Sequence, residues 1–324
     1  MSGQRASQTS ALSGTAPGGA AVIPARPRRR YSILTRRDKI VMVLMVGIPT
    51  VLFITFVWLP AIASIFLSFT NWRGITALTA NNFIGLKNYQ VLFTTYPFFW
   101  PAVWHNVLWL LTFVFIATPI GIFLAVLLDR EMRGTRLYQS AFFIPVVLSL
   151  AIVGFIWEQM YTSQGFINSV LGHTSPDTAI DFLGNPSLNI WAVLVAASWR
   201  QVGYVMVLYL AGLKSVDPTL REAAAIDGAN ARQTFFRVVF PVMKPINIVI
   251  IVITVIESLR AFDIAYIINR GKNGLELLSI LITNNSVSEA SLIGFGSAIA
   301  VVLLVISLVP IVIFLTRTMR EDNR

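Results

Sequence analysis

Apolar residues crowd into six windows along the chain: Ile40 to Phe69, Val103 to Leu128, Leu137 to Met160, Leu188 to Leu213, Ile246 to Ala265 and Ile293 to Thr316. Each is roughly 20 residues or longer, the length an α-helix needs to cross a hydrocarbon core of about 30 Å. The pattern predicts an all-α polytopic membrane protein with six transmembrane helices. The first window exceeds the apolar core of a secretory signal and no small-residue cleavage site accompanies it, so it is expected to remain as a span. The polar remainder divides the chain into three. Residues 1–38, rich in Ser, Gly, Ala, Pro and Arg and ending in "RPRRRYSILTRRDK", read as a disordered basic cytoplasmic tail. Residues 39–317 form the transmembrane domain, and 318–324 a short cytoplasmic tail.

One polar interval, "REAAAIDGANARQTFFRVVFPVMKP" from Arg221 to Pro245, carries its own folding signals. Asp217 suits an N-cap and Pro218 the first helical position. Leu220 to Asp227 reads as two helical turns, Gly228 can adopt positive φ, and Asn230 with Gln233 forms a capping box for a second helix. Pro241 and Pro245 mark the start of the fifth span. The result is a helix-turn-helix between spans four and five. Ala223, Ala224 and Ala225 keep one flank small enough for another surface to approach the backbone, and Arg221 and Glu222 offer charges to orient it.

Composition agrees with the lipid reading: 56% of residues are hydrophobic and 12% charged, and mean hydropathy is positive. There is no cysteine, which excludes disulfides, thiolate metal sites and cysteine nucleophiles. The formal charge of +10 would suggest nucleic acid in a soluble protein, but the basic residues flank spans. Placing the N-terminal tail inside puts nineteen of the 25 Lys and Arg on the cytoplasmic side, while 161–187 carries none. Both termini and the helix-turn-helix are then cytoplasmic. Trp72, Tyr89, Tyr96, Trp100 and Trp104 cluster at the outer ends of the first two spans as interfacial anchors.

The helix-turn-helix resembles the coupling loop of binding-protein-dependent ABC importers. Their membrane subunits share Glu-Ala-Ala, three residues, Gly, nine residues and Ile-x-Leu-Pro, matched here by Glu222, Ala223, Ala224, Gly228 and Pro241. Val238 and Phe240 replace Ile and Leu, apolar for apolar. "EAAAIDGA", "FPVMKP", "AFDIAYIINRGKNG" and "FIGLKNYQVLF" are similar to the carbohydrate-uptake branch, the maltose- and glycerol-phosphate-type permeases, although "RGKNG" stands where that branch has a glycine-rich stretch. The resemblance spans roughly 40–316. It implies a non-enzymatic permease subunit in a bacterial plasma membrane. Its sugar or small oligosaccharide is delivered by an extracytoplasmic solute-binding protein. An ABC ATPase dimer would dock on Glu222, Ala223, Ala224, Asp227, Gly228 and Pro241, and a second, non-identical permease would complete the path. ATP would be used by the ATPase, since no Gly-x-x-x-x-Gly-Lys-Ser/Thr loop occurs in this chain. Membrane lipid is a further partner; nucleic acid and cofactors bound by this chain are not expected.

Inside the spans, Arg200 and Glu257 fall at similar depth, where a charge needs a protein or water partner. They are expected to meet, either as an ion pair fixing helix register or as a polar lining of the translocation pathway. Trp199, Gln201, Tyr204, Asn106 and Asn247 have the hydrogen-bonding groups and aromatic faces that neutral sugars need; packing is the alternative for each. Phe262 and Asp263 match the family's Phe-Asp after span five, or simply cap the outer loop. Glu158 and Gln159 fit headgroup-level polar positions. His105 and His173 lack a second ligand at metal spacing. Two other classes compete: a solitary secondary transporter, for which no internal repeat and only Glu257 speak, and a membrane enzyme, whose paired carboxylates would have to be Asp177 and Asp181.

Overall fold

In the computed structural model, the described residues are 35–130, 134–173, 175, 177–287 and 291–322, so most of the N-terminal tail lies outside them. The chain divides into two compact units, Met1–Thr55 and Phe56–Arg324. In the first, helix α1 (Arg36–Phe53) opens on a capping box in which the Thr35 hydroxyl accepts from Asp38 N and the Asp38 carboxylate accepts from Thr35 N. That box starts the helix at Arg36, inside the segment expected to be disordered up to 38.

The second unit contains α2 (Leu59–Leu67), α3 (Lys87–Thr94), α4 (Phe99–Thr112), α5 (Thr118–Asp129), α6 (Thr135–Val147), α7 (Leu150–Met160), α8 (Phe166–Val170) and α9 (Asn189–Ser215). After these come α10 (Pro218–Ile226), α11 (Ala231–Thr234), α12 (Phe240–Val242), α13 (Lys244–Leu259), α14 (Asp263–Asn269), α15 (Leu278–Ser286) and α16 (Ile293–Asp322). The described residues are almost wholly helical, with an isolated antiparallel bridge between Thr70 and Phe83. By length and composition four stretches could cross a membrane: Arg36–Leu67, Phe99–Asp129, Asn189–Ser215 and Ile293–Val312. Counting each of two bent helix pairs as one span gives six.

The third and fifth windows, each expected to form one transmembrane helix, are interrupted. Within 137–160 the chain turns by 99° between α6 and α7. Pro145 weakens the end of α6, Leu148 and Ser149 are extended, and the Ser149 hydroxyl accepts from Ile152 N to start α7 afresh. A second bend of 76° separates the α11–α12 segment from α13 at Met243, and α13 itself stops at Leu259 before α14 begins at Asp263. Three short helices, α3, α8 and α15, had no counterpart in the hydrophobic pattern, which locates long apolar windows.

Helix α9 is the axis of this unit. Backbone approaches it closely: a Cβ on its Gly203 would lie 2.3 Å from Phe142 O, and one on Gly121 of α5 would lie 2.8 Å from Val202 O. Small residues at helix crossings permit this approach in lipid, where dispersion and close contact replace the hydrophobic drive. Three apolar cores follow. One, around Trp109, Phe113, Val193, Ala197 and Ile264, packs α4, α9 and α14. Another, around Ala125, Met206, Tyr209, Leu213 and Met243, packs the ends of α5 and α9 on the loop segment. The third joins α4, α15 and α16 through Phe99, Leu278 and Ile299.

Candidate functional site

The segment after α9 folds as its signals dictate. The Asp217 carboxylate accepts from Thr219 N at 2.9 Å, and Pro218 opens α10. That backbone bond, helped by the Thr219 side chain, holds the Asp217 carboxyl below its usual value. A lowered acid gives up its contribution only as pH falls through the carboxylate range, so the cap is intact at neutral pH. Gly228 turns the chain at φ 77°, and Asn230 and Gln233 form the reciprocal capping box at 2.9 and 2.8 Å. The second helix is less regular than expected: α11 passes through a π-turn, Phe235–Val239, before α12, with Pro241 in the first turn of α12.

Arg221 fixes this element to the bundle. Its guanidinium donates to Asp129 Oδ2 at 2.7 Å and to Leu213 O at 3.0 Å. Asp129 ends α5, where a carboxylate opposes the helix dipole, and Leu213 O is among the carbonyls that the last turn of α9 leaves unpaired. One side chain therefore offsets an unfavourable charge and caps a second helix. This differs from the expectation that Arg221 would face outward beside Glu222. Ala224 is buried against the bundle, whereas Glu222, Ala223, Asp227, Gly228 and Pro241 are exposed. A Cβ on Gly228 would meet nothing within 4 Å. Ile226 is 86% exposed at the tip of α10, one turn beyond Glu222. Ile226 lies between Ala224 and Gly228, the matched motif positions, so the motif itself does not mark it.

The intramembrane candidates separate into two groups. Arg200, near the middle of α9, lines a cleft of about 50 Å³ with Gln201, Glu257, Arg260, Phe262 and Asp263. Arg200 and Glu257 do not form the expected ion pair, since no nitrogen–oxygen contact between them is within 4.0 Å. Arg200 Nε is buried and has no hydrogen-bond partner in the structure. The other candidates make contacts within the protein. Gln201 Nε2 donates to Thr254 Oγ1 at 3.4 Å, and Thr254 and Thr118 share a contact of the same length. Trp199 sits edge-on to Trp157 with centroids 5.8 Å apart, and Tyr204 is half-buried on the same helix. Asn247 lies away from the cleft, donating to Phe240 O at 3.0 Å across the second bend. Asn106 is a tether, donating to Leu259 O and accepting from Leu278 N. His105 Nδ1 lies 2.8 Å from Glu276 O. Among the described residues no three potential metal ligands cluster. Asp181 accepts from Gly184 N, which places it in a turn.

These features define a helical membrane protein that presents a folded, exposed helical pair at one end of its spans. A sequence profile described as "Binding-protein-dependent transport system inner membrane component" matches residues 18–320. The chain belongs to that family. It is 32% identical over 278 residues to the probable starch degradation products transport system permease protein AmyD of Thermoanaerobacterium thermosulfurigenes, covering 83% of this chain and 91% of the relative. To the trehalose/maltose transport system permease protein MalF of Thermococcus litoralis it is 30% identical over 266 residues, covering 81% and 88%. Its fold matches a chain of a bacterial ABC transporter involved in import of the acidic polysaccharide alginate. There the TM-score is 0.74, at 20% identity over 88% of this chain and 96% of that one.

Proposed function

We propose that this chain is the permease subunit of an ATP-driven importer for a sugar or small oligosaccharide, and that α10 to α12 is where a separate ABC ATPase dimer drives it. One observation carries the reading: Arg221 locks α10 to the ends of α5 and α9, yet the opposite face, Glu222, Ala223, Ile226 and Asp227, is left uncovered. A displacement of α10 would be transmitted directly to two spans. The relatives' names support a carbohydrate substrate, and the family supports delivery by a binding protein. A second, non-identical permease completes the path. The loop is cytoplasmic, and so are both termini, in a bacterial plasma membrane; ATP is held by the partner and not by this chain.

Purification of the full chain from native membranes in mild detergent, followed by mass spectrometry, tests this. Wild type is expected to bring an ATPase and a second six-span permease. Ile226→Asp, which burdens only an exposed position, is expected to keep the permease and lose most of the ATPase. Wild type that brings no ATPase, while other membrane complexes survive the same extraction, defeats the coupling assignment and favours a solitary transporter.

The cleft is the proposed polar lining of the pathway, with Arg200, Gln201 and Glu257 on its wall; Trp199, Tyr204 and Asn247 are not among the residues that line it. Arg200→Gln is expected to lower uptake of labelled sugar by about tenfold, the size of one lost charge-assisted hydrogen bond. Because Arg200 and Glu257 are not paired, the charge-exchanged double variant is expected to do no better than either single variant. Full rescue by the exchange would show an ion pair that fixes register.

A further inference from the structure

Between α10 and the ends of α5 and α9 lies a cavity of about 310 Å³. Alanines leave the space open: Ala225 on α10, Ala229 after the Gly228 turn and Ala231 at the start of α11 line it with side chains too short to fill it. Its other walls include Val126 of α5, Leu213 of α9, and Phe235 and Val239 of the π-turn, all apolar. The volume falls at the lower end of the roughly 300–1,000 Å³ usual for small-molecule sites.

Three charged side chains, Asp129, Arg130 and Arg221, line the same cavity. The positive charge among them is not used up. Arg221 donates Nη1 to Asp129 and Nη2 to Leu213 O, but its Nε is buried and has no hydrogen-bond partner in the structure. Arg130, the exposed residue that ends α5, forms no hydrogen bond or ion pair among the described residues. A neighbouring cavity of about 510 Å³ shares Asp129 and Arg130 and adds Arg136 and Lys214. Four basic side chains and one carboxylate therefore line the two cavities, and that carboxylate is already matched by Arg221. A buried guanidinium N–H without an acceptor is costly, and an anionic oxygen is the strongest partner it can take.

We propose that the cavity under α10 binds a small organic anion with an apolar body. Its phosphate or carboxylate is held by Arg130 and Arg221 Nε, and its body lies against Leu213, Phe235 and Val239. An anion placed there competes with Asp129 for Arg221. The consequence rests on the proposed function: where α10 is the element that the ATPase drives, the bound anion loosens α10 from α5 and lowers sugar uptake per ATP. Binding itself requires neither ATPase nor sugar. A soluble metabolite and an anionic lipid headgroup both carry the required chemistry.

The test uses the full chain in phosphatidylcholine nanodiscs, with phenyl phosphate as probe and saturation-transfer NMR as readout. Wild type is expected to transfer saturation to the phenyl protons, and uncharged phenol is expected to give far less signal. Arg130→Gln, which has no partner to lose, is expected to weaken binding about fivefold, the effect of one charge-assisted contact at a partly screened site. Ala225→Leu, which narrows the cavity and touches no charge, should also weaken it, both variants at unchanged thermal unfolding. Arg136→Gln, in the neighbouring cavity alone, should have a smaller effect than Arg130→Gln. No signal from wild type, or binding that Arg130→Gln and Ala225→Leu leave unchanged, overturns the site. Native mass spectrometry separates the sources: phosphatidylglycerol retained by wild type and lost from Arg130→Gln makes a lipid headgroup the ligand, and none retained by either makes it a soluble anion. In the reconstituted complex, saturating phenyl phosphate is expected to lower uptake per ATP about fivefold, the low end of usual coupling between sites, and to do less in Arg130→Gln. An unchanged ratio in wild type overturns the regulatory role. Failure of the importer reading shows separately, as wild type that co-purifies no ATPase.

Discussion

Gly228→Asp is expected to reduce binding-protein- and sugar-stimulated ATP hydrolysis by at least about 30-fold in a reconstituted complex, while the permease remains folded. The factor follows from about 2 kcal/mol, the usual threshold for a dominant interface residue. Folding should survive for two reasons. The residue sits at φ 77°, a left-handed conformation that Asp tolerates better than most side chains, and an added Cβ meets no protein atom within 4 Å. The new carboxylate would project beside Asp227 from the exposed turn, so its main effect falls on a partner's surface. Hydrolysis with purified ATPase, alongside thermal unfolding of the permease, separates the two effects. Gly228→Asn, with a side chain of the same size but no charge, is expected to be intermediate. Wild-type hydrolysis in both variants would show that the turn does not touch the ATPase.

The sequence made this turn legible because its determinants are local. Asp217, Pro218, Gly228, Asn230 and Gln233 act within three residues of themselves, and each formed the cap or turn its chemistry implies. The apolar windows were legible for a related reason, since lipid demands long uninterrupted runs. What escaped depends on contacts between distant segments. Pro145 was visible in the third window, but whether a proline kinks a span or breaks it by 99° depends on what then satisfies the freed backbone, here Ser149. The short helices α3 and α15 owe their places to tethers such as Asn88 to Ser68 and Asn106 to Leu278, which link residues far apart in the chain. Arg200 and Glu257 line one cleft without the expected pairing, because equal depth in two helices fixes height and not facing distance.

The pairing of Arg221 with Asp129 belongs to this non-local class and leads to the second large effect. Arg221→Ala would strand Asp129, which is 14% exposed, at the C-terminus of α5, and would free Leu213 O as well. With Arg221 itself 36% exposed, solvent screening limits the loss to about 1–2 kcal/mol of stability. The loss of coupling is expected to be greater than that figure suggests, because α10 would no longer be fixed to the spans it moves. ATP hydrolysis should persist while sugar uptake per ATP falls about tenfold, unlike Gly228→Asp, where hydrolysis itself is lost. Asp129→Asn is expected to be mild, since its amide oxygen still accepts from the guanidinium. Arg221→Lys should be intermediate, because one ammonium cannot match the fork that spans Asp129 and Leu213. In a double-mutant cycle, Arg221→Ala with Asp129→Ala should be less defective than the sum of the singles by about 1 kcal/mol. Additive singles, or uptake per ATP unchanged in Arg221→Ala, would mean that the ion pair is decoration on the loop and that α10 reaches the spans through Ala224 and the π-turn alone.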